Sequence, residues 1–185
     1  MLRILLTLAL FISLFIPASA WGQEISSPEV RLINNDVIVS FSLVLDSKRV
    51  QEIKEGLDKE LKFYIDLFRV WKGWSDEFVL GKFYSRKMKV DPIKKEFVAT
   101  SFDGNVIIEK RFRSFESMLA WGLSVRDLKL TNTRELEAAQ YFVRVTAESK
   151  VRSLPAVVGQ FLFFISENEF KIKKDSGVFA VQGAR

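Results

Sequence analysis

The chain contains no cysteine and no histidine. The first absence excludes disulfides, a thiol nucleophile and thiolate metal sites. The second excludes Ser-His-Asp and Cys-His machinery, imidazole metal ligands and the usual proton carrier near neutral pH. Catalysis would have to rest on carboxylates, Lys, Tyr or Ser–Lys pairs. No phosphate-loop, dinucleotide or nucleophile-elbow motif is present, so no cofactor or metal is expected. Dense Lys/Arg blocks are missing as well: 28 basic residues stand against 23 acidic ones, a formal charge of +5. That excludes nucleic acid as the expected partner and leaves a loose attraction to an anionic membrane surface. Repeats, low-complexity tracts and interdomain linkers are also lacking. No apolar run reaches the ~20 residues of a spanning helix.

What is present begins with an export signal. Met1, Leu2 and Arg3 supply a single positive charge. An apolar run of 13 residues follows over 4–16, then Pro17 and the triplet Ala18, Ser19, Ala20. This is the charged, apolar and small-x-small layout of a secretory signal peptide, cut after Ala20 and before Trp21. Pro17 ends the helical segment a turn before the cut. No Cys follows, so the signal is not of the lipoprotein type. The expected organisation is a signal peptide over 1–20, a flexible lead-in over 21–28, a single domain over 29–182 and a tail over 183–185. The expected location is the periplasm or another exported compartment. Removing 20 of the 185 residues leaves 165, enough for one domain with a sizeable core.

The mature chain reads as strands. Residues 30–45 form a hairpin around Asn34 and Asn35, which tolerate positive φ. Val37, Val39, Phe41, Leu43 and Leu45 alternate along one face. Asp46 or Ser47 caps a short helix carrying Val50, Ile53 and Leu57 on one side, and Gly56 ends it. A strand over 61–71 follows, with Leu61, Phe63, Ile65 and Leu67 alternating. Further strands are expected over 78–90, 97–102 and 106–112, separated by Asp91-Pro92 and Asp103-Gly104. Ser114 caps a second helix with Phe115, Met118, Leu119 and Leu123 on one side and Trp121 in the core. Strands over 125–130, 141–150, 161–165, 170–173 and 178–181 complete the chain, with Leu154-Pro155 as an interruption. Roughly nine or ten short strands and two short helices predict a mainly β fold: a two-layer, mostly antiparallel β-sandwich. Seventeen Phe fill its core.

Three groups of residues are candidate sites. Arg69, Trp71, Lys72 and Trp74 cluster at a strand end, and Trp and Arg are favoured interface anchors. Arg86, Lys87 and Lys89, with Lys94, Lys95, Lys110, Arg111 and Arg113, line neighbouring strands as a candidate cationic sheet face, or as a solvated face that blocks edge pairing. Asp76-Glu77, Glu52 with Glu55, and Glu135 with Glu137 are the carboxylate pairs. Glycosidase-type chemistry needs such pairs ~5–10 Å apart in a cleft.

Several stretches carry a family resemblance: 53–63 (IKEGLDKELKF) running into 69–74 (RVWKGW), 84–90 (YSRKMKV) with 96–98 (EFV), 115–119 (FESML), and 141–145 (YFVRV) leading to Leu154-Pro155. In this order they resemble the bacterial domain of unknown function 4390, over most of 29–165. The resemblance implies an exported protein with an envelope partner linked to membrane sensor-kinase signalling. It carries over no activity, cofactor or catalytic residue. The expected function is therefore a non-catalytic protein-binding module of the cell envelope. The alternatives are a module holding an apolar or lipid ligand between Phe-rich sheets and, third, a carboxylate-based hydrolase.

Overall fold

A computed structural model describes residues 22–91, 93–150 and 168–182. The expected signal peptide with Ala18, Ala20 and Trp21, the residue Pro92, the expected Leu154-Pro155 interruption, the strand expected over 161–165 and the tail expected over 183–185 lie outside the described residues. The elements run β1 (Glu24–Ile25), β2 (Glu29–Ile33), β3 (Asp36–Val44), α1 (Ser47–Lys54), β4 (Lys59–Arg69), β5 (Glu77–Asp91), β6 (Glu96–Phe102), β7 (Ile107–Phe112), α2 (Phe115–Gly122), β8 (Ser124–Asn132), β9 (Ala139–Lys150), β10 (Asn168–Asp175) and β11 (Phe179–Val181). A single 3-10 turn, Thr133–Glu135, joins β8 to β9.

Local chemistry sets the turns. Asn34 and Asn35 both adopt positive φ, 51° and 65°, and Ile33 faces Asp36 across a two-residue loop. That is a type I′ hairpin, whose twist matches the flanking strands. The Asp91 carboxylate accepts from the backbone N–H groups of Ile93 and Lys94, and the Asp103 carboxylate accepts from those of Asn105 and Val106. Each carboxylate closes a hairpin with an Asx turn. Asp46 caps α1 by accepting from Arg49 N at 2.8 Å. Ser114 caps α2 by accepting from Ser117 N at 3.2 Å.

The strands form two antiparallel sheets. In the larger, the order is β7-β6-β5-β4-β9, and β10 and β11 share the far edge of β9. In the smaller, β3 pairs β8 on one edge and β2 and β1 on the other. The sheets face each other as a β-sandwich. Val37, Val39, Phe41 and Leu43 of β3 meet Leu61, Phe63, Ile65 and Leu67 of β4 and Val143, Val145 and Ala147 of β9 in one core. The Phe41 and Phe63 rings touch edge-on at 5.4 Å. Residues 24 and 25, inside the expected flexible lead-in, instead form β1, and Ile25 is buried. Leu57 is exposed because α1 stops at Lys54, short of the turn that would have turned it inward.

The ends of the larger sheet differ. Helix α2 covers β5, β6 and β7, with Phe115, Met118 and Gly122 buried. Gly122 is needed there, since a Cβ would sit 2.4 Å from Met88 Sδ. Trp121, expected in the core, is partly buried and packs against it.

Candidate functional site

Strand alternation separates the basic residues that the sequence groups together. On β5, Arg86, Met88 and Val90 point into the sandwich and are buried, whereas Lys87 and Lys89 are exposed on the outer face. Lys87 pairs with Asp58 at 3.4 Å. Lys89 and Arg111 share a shallow hollow with Asp91, Glu96 and Glu109. The outer face is thus a mixture of both signs, not a uniform cationic patch. Lys94 lines the same hollow, and Lys95 and Arg113 are exposed.

The aromatic cluster sits where β4 leaves the sheet. Arg69 reaches Glu137 at 2.7 Å and lies over the Trp71 ring at 4.3 Å. Trp71 Nε1 donates to Glu77 at 3.0 Å. Trp71 is therefore held in place although 45% exposed, with Lys72 exposed beside it; Trp74 and Phe78 are 84% and 57% exposed. Behind them, on the outer face, Phe68 stacks on Phe142 at 5.3 Å and meets Phe78 edge-on at 5.9 Å. Arg144 lies over Phe68 and Phe142 and grips Asp175 with two hydrogen bonds of 2.7 Å. Those bonds hold the Asp175 carboxyl below its usual range. Neighbouring Asp66 goes the other way, because burial disfavours its charge more than Arg144 supports it.

The carboxylate pairs do not converge. Glu77 and Glu137 serve Trp71 and Arg69, while Asp76 lies in an exposed turn. Glu52 faces Lys59, and Glu55 accepts from Gln51. Glu135 accepts from Thr131 Oγ1 at 2.6 Å and closes a capping box with Asn132; these bonds lower its pKa.

Two polar assemblies are not among the groups that the sequence singles out. Lys59, almost wholly buried, donates to both oxygens of Glu169 at 2.9 and 2.7 Å. Ser149 Oγ donates to Glu169 at 2.9 Å, and Arg49 lies 3.3 Å from it. This network ties α1, β4, β9 and β10 together, and its members are committed to one another. The second surrounds Trp121. Arg86 stacks on the indole at 3.7 Å and donates to the Trp121 carbonyl at 3.0 Å, while Lys110 lies over the same ring at 5.2 Å. An open hollow of about 410 Å³ adjoins them. A signal in the sequence identifies both: Lys59 shares strand parity with Leu61 and Phe63, and Arg86 with Met88 and Val90.

A family model described as "Domain of unknown function (DUF4390)" matches residues 20–176. No curated protein and no solved structure matches the chain.

Proposed function

The chain belongs to the family of the domain of unknown function DUF4390, and from that premise we propose that it is an exported, non-catalytic module that binds another protein of the cell envelope. The observation that carries this reading is the aromatic end of β4 and β5. Trp71, Trp74 and Phe78 project there, and Trp71 is fixed by Arg69 and Glu77 before any partner arrives. Exposed large aromatics with an Arg among them are the usual anchors of a protein interface. Fixing the ring in advance lowers the ordering cost of binding. The hollow beside Arg69 and Trp71 is shallow and opens broadly, which suits a folded partner better than an enclosed small molecule. The family resemblance favours an envelope partner linked to membrane sensor-kinase signalling.

Two observations weigh against the alternatives. The facing sheets bury Phe63, Ile65, Leu67, Val37 and Val39 fully against one another, which disfavours a lipid held between them. Apart from the exposed Asp76, the paired carboxylates are engaged by cations, caps and hydrogen-bond donors rather than by each other, which disfavours carboxylate hydrolysis.

The test is site-specific photocrosslinking in intact cells from positions 71 and 74, with position 135 as control, followed by affinity measurement on the purified pair. We expect one envelope protein captured only from 71 and 74. Trp74→Ala should weaken its binding at least tenfold while stability stays within ~0.5 kcal/mol of wild type. Equal capture from 135, or unchanged affinity of Trp74→Ala, overturns the reading. Export is checked by mass spectrometry: a mature chain starting at Trp21 is expected, and one retaining Met1 refutes it.

A further inference from the structure

We propose that the hollow between α2, β7 and the start of β8 is a binding site for an oxyanion, a phosphate or carboxylate head whose apolar portion rests on Phe112 and Ala120. It is distinct from the aromatic end of β4 and β5 and does not depend on it.

Three observations meet here. First, Arg86 is only 8% exposed, yet among the described residues no carboxylate pairs with it and its Nε has no hydrogen-bond partner. Its neighbours include Trp121, whose ring and carbonyl it contacts, Leu61 and Ser101 across the two strand pairs, and Tyr84. Burying a guanidinium without an anion is costly, and an orphaned buried N–H calls for an explanation. The carbonyl of Trp121, in the last turn of α2, offers only the partial negative charge of a helix C-terminus. That carbonyl and the face of the Trp121 indole offset part of the positive charge without supplying a full countercharge.

Second, further cations stand around the hollow. Arg126 of β8 lines it, is exposed and forms no ion pair among the described residues. Lys110 lies over the same Trp121 ring and is likewise unpaired among the described residues. Among the described residues that line it there is no carboxylate, and the lining includes the hydroxyls of Ser117 and Ser124. The hollow over Lys89 and Arg111 on the same sheet shows the contrast, since Asp91, Glu96 and Glu109 balance its cations.

Third, the volume of about 410 Å³ falls in the range of small-molecule sites. It exceeds what a bare phosphate fills. The remaining wall is apolar: Phe112, which packs on Trp121 at 5.7 Å, and Ala120. Guanidinium groups and hydroxyls match the oxygens of phosphate and carboxylate by charge-assisted hydrogen bonds. An anion there would supply the countercharge that the fold withholds from Arg86.

The test uses the mature chain at constant ionic strength with inorganic phosphate as probe. The Trp121 indole N–H is followed by NMR and the thermal midpoint is measured in parallel. We expect saturable shifts at Trp121 and a rise of the midpoint. Arg126→Ala, which removes an exposed side chain with no ion-pair partner among the described residues, should keep the phosphate-free midpoint and weaken apparent affinity about tenfold, the loss of one charge-assisted contact. Arg126→Lys should recover some of it, and Arg111→Ala on the outer face should change nothing. Shifts that fail to saturate, or equal affinity in Arg126→Ala and wild type, overturn the proposal. The source of the anion is read from vesicle sedimentation. Arg126-dependent binding to phosphatidylglycerol vesicles but not to phosphatidylcholine vesicles assigns a lipid headgroup. Saturation by phosphate without such vesicle binding assigns a soluble anion.

Discussion

Gly122→Ala tests whether α2 is docked on the larger sheet by direct approach of its backbone. The new Cβ would lie 2.4 Å from Met88 Sδ and 2.9 Å from its Cγ, and Met88 is fully buried. Met88 cannot retreat into solvent, although its thioether bends more readily than a branched side chain. Overpacking of this kind costs about 1–3 kcal/mol. Alanine regains less than the ~1 kcal/mol of an internal helix position, because Gly122 is the last residue of α2. The expected net loss is about 1–2 kcal/mol, or a midpoint drop of ~2–8 °C for a domain of this size. Gly177→Ala is the control, since nothing lies within 4 Å of its added Cβ; it should be neutral or slightly stabilising through the unfolded chain. Urea unfolding with an unchanged slope measures both. In a Met88→Ala background, itself destabilised by about 2–5 kcal/mol, the penalty of Gly122→Ala should vanish. Close docking of the α2 backbone on Met88 is refuted if Gly122→Ala is as stable as wild type, or if the two substitutions add without coupling.

The Lys59–Glu169 network should show in the acid limb of stability. Burial alone would raise the Glu169 pKa, but the hydrogen bonds from Lys59 and Ser149 and the charges of Lys59 and Arg49 outweigh it and hold it below the usual value. A carboxyl lowered on folding contributes stability that is complete above its unfolded pKa of ~4.3 and is lost as pH falls through the folded value. Lys59→Ala should cost about 3 kcal/mol at neutral pH, since Glu169 keeps Arg49, and should shrink that acid-dependent component. An unchanged acid limb in urea titrations refutes the pairing. For Asp66 the sign reverses: burial raises its folded pKa, so its contribution is most favourable below the unfolded value of ~3.9 and declines as pH rises through the folded one. Asp66→Asn should therefore be at least as stable as wild type at neutral pH, and a clear loss would show that the carboxylate is needed beside Arg144.

The outcome for Arg86 shows where inference from sequence stops. Periodicity predicts β5 and its boundaries, and the same periodicity places Arg86 with Met88 and Val90, yet charge clustering along the chain suggests one basic face. The clustering is misleading because adjacent residues of a strand belong to opposite faces. The aromatic cluster, by contrast, is visible in sequence as a group of neighbours, since a strand end and its turn keep neighbours together. What the sequence does not reveal is that Arg69 and Glu77 hold Trp71, because those contacts join the ends of β4 and β5 and depend on their register.

By itself the sequence determined the local matters: the caps at Asp46 and Ser114, the turn at Asn34 and Asn35, the alternating faces of β3, β4 and β9, and hence a sandwich. Each rests on interactions within a few residues or on a repeat of period two. Only the tertiary structure decided that β9 lies between β4 and β10, that Lys59 meets Glu169 across 110 positions, and that α2 presses on Met88 and places Trp121 over Arg86. Those contacts depend on which strand edges pair and how closely two backbones approach. That is fixed by the packing of the whole core, not by any segment of the chain.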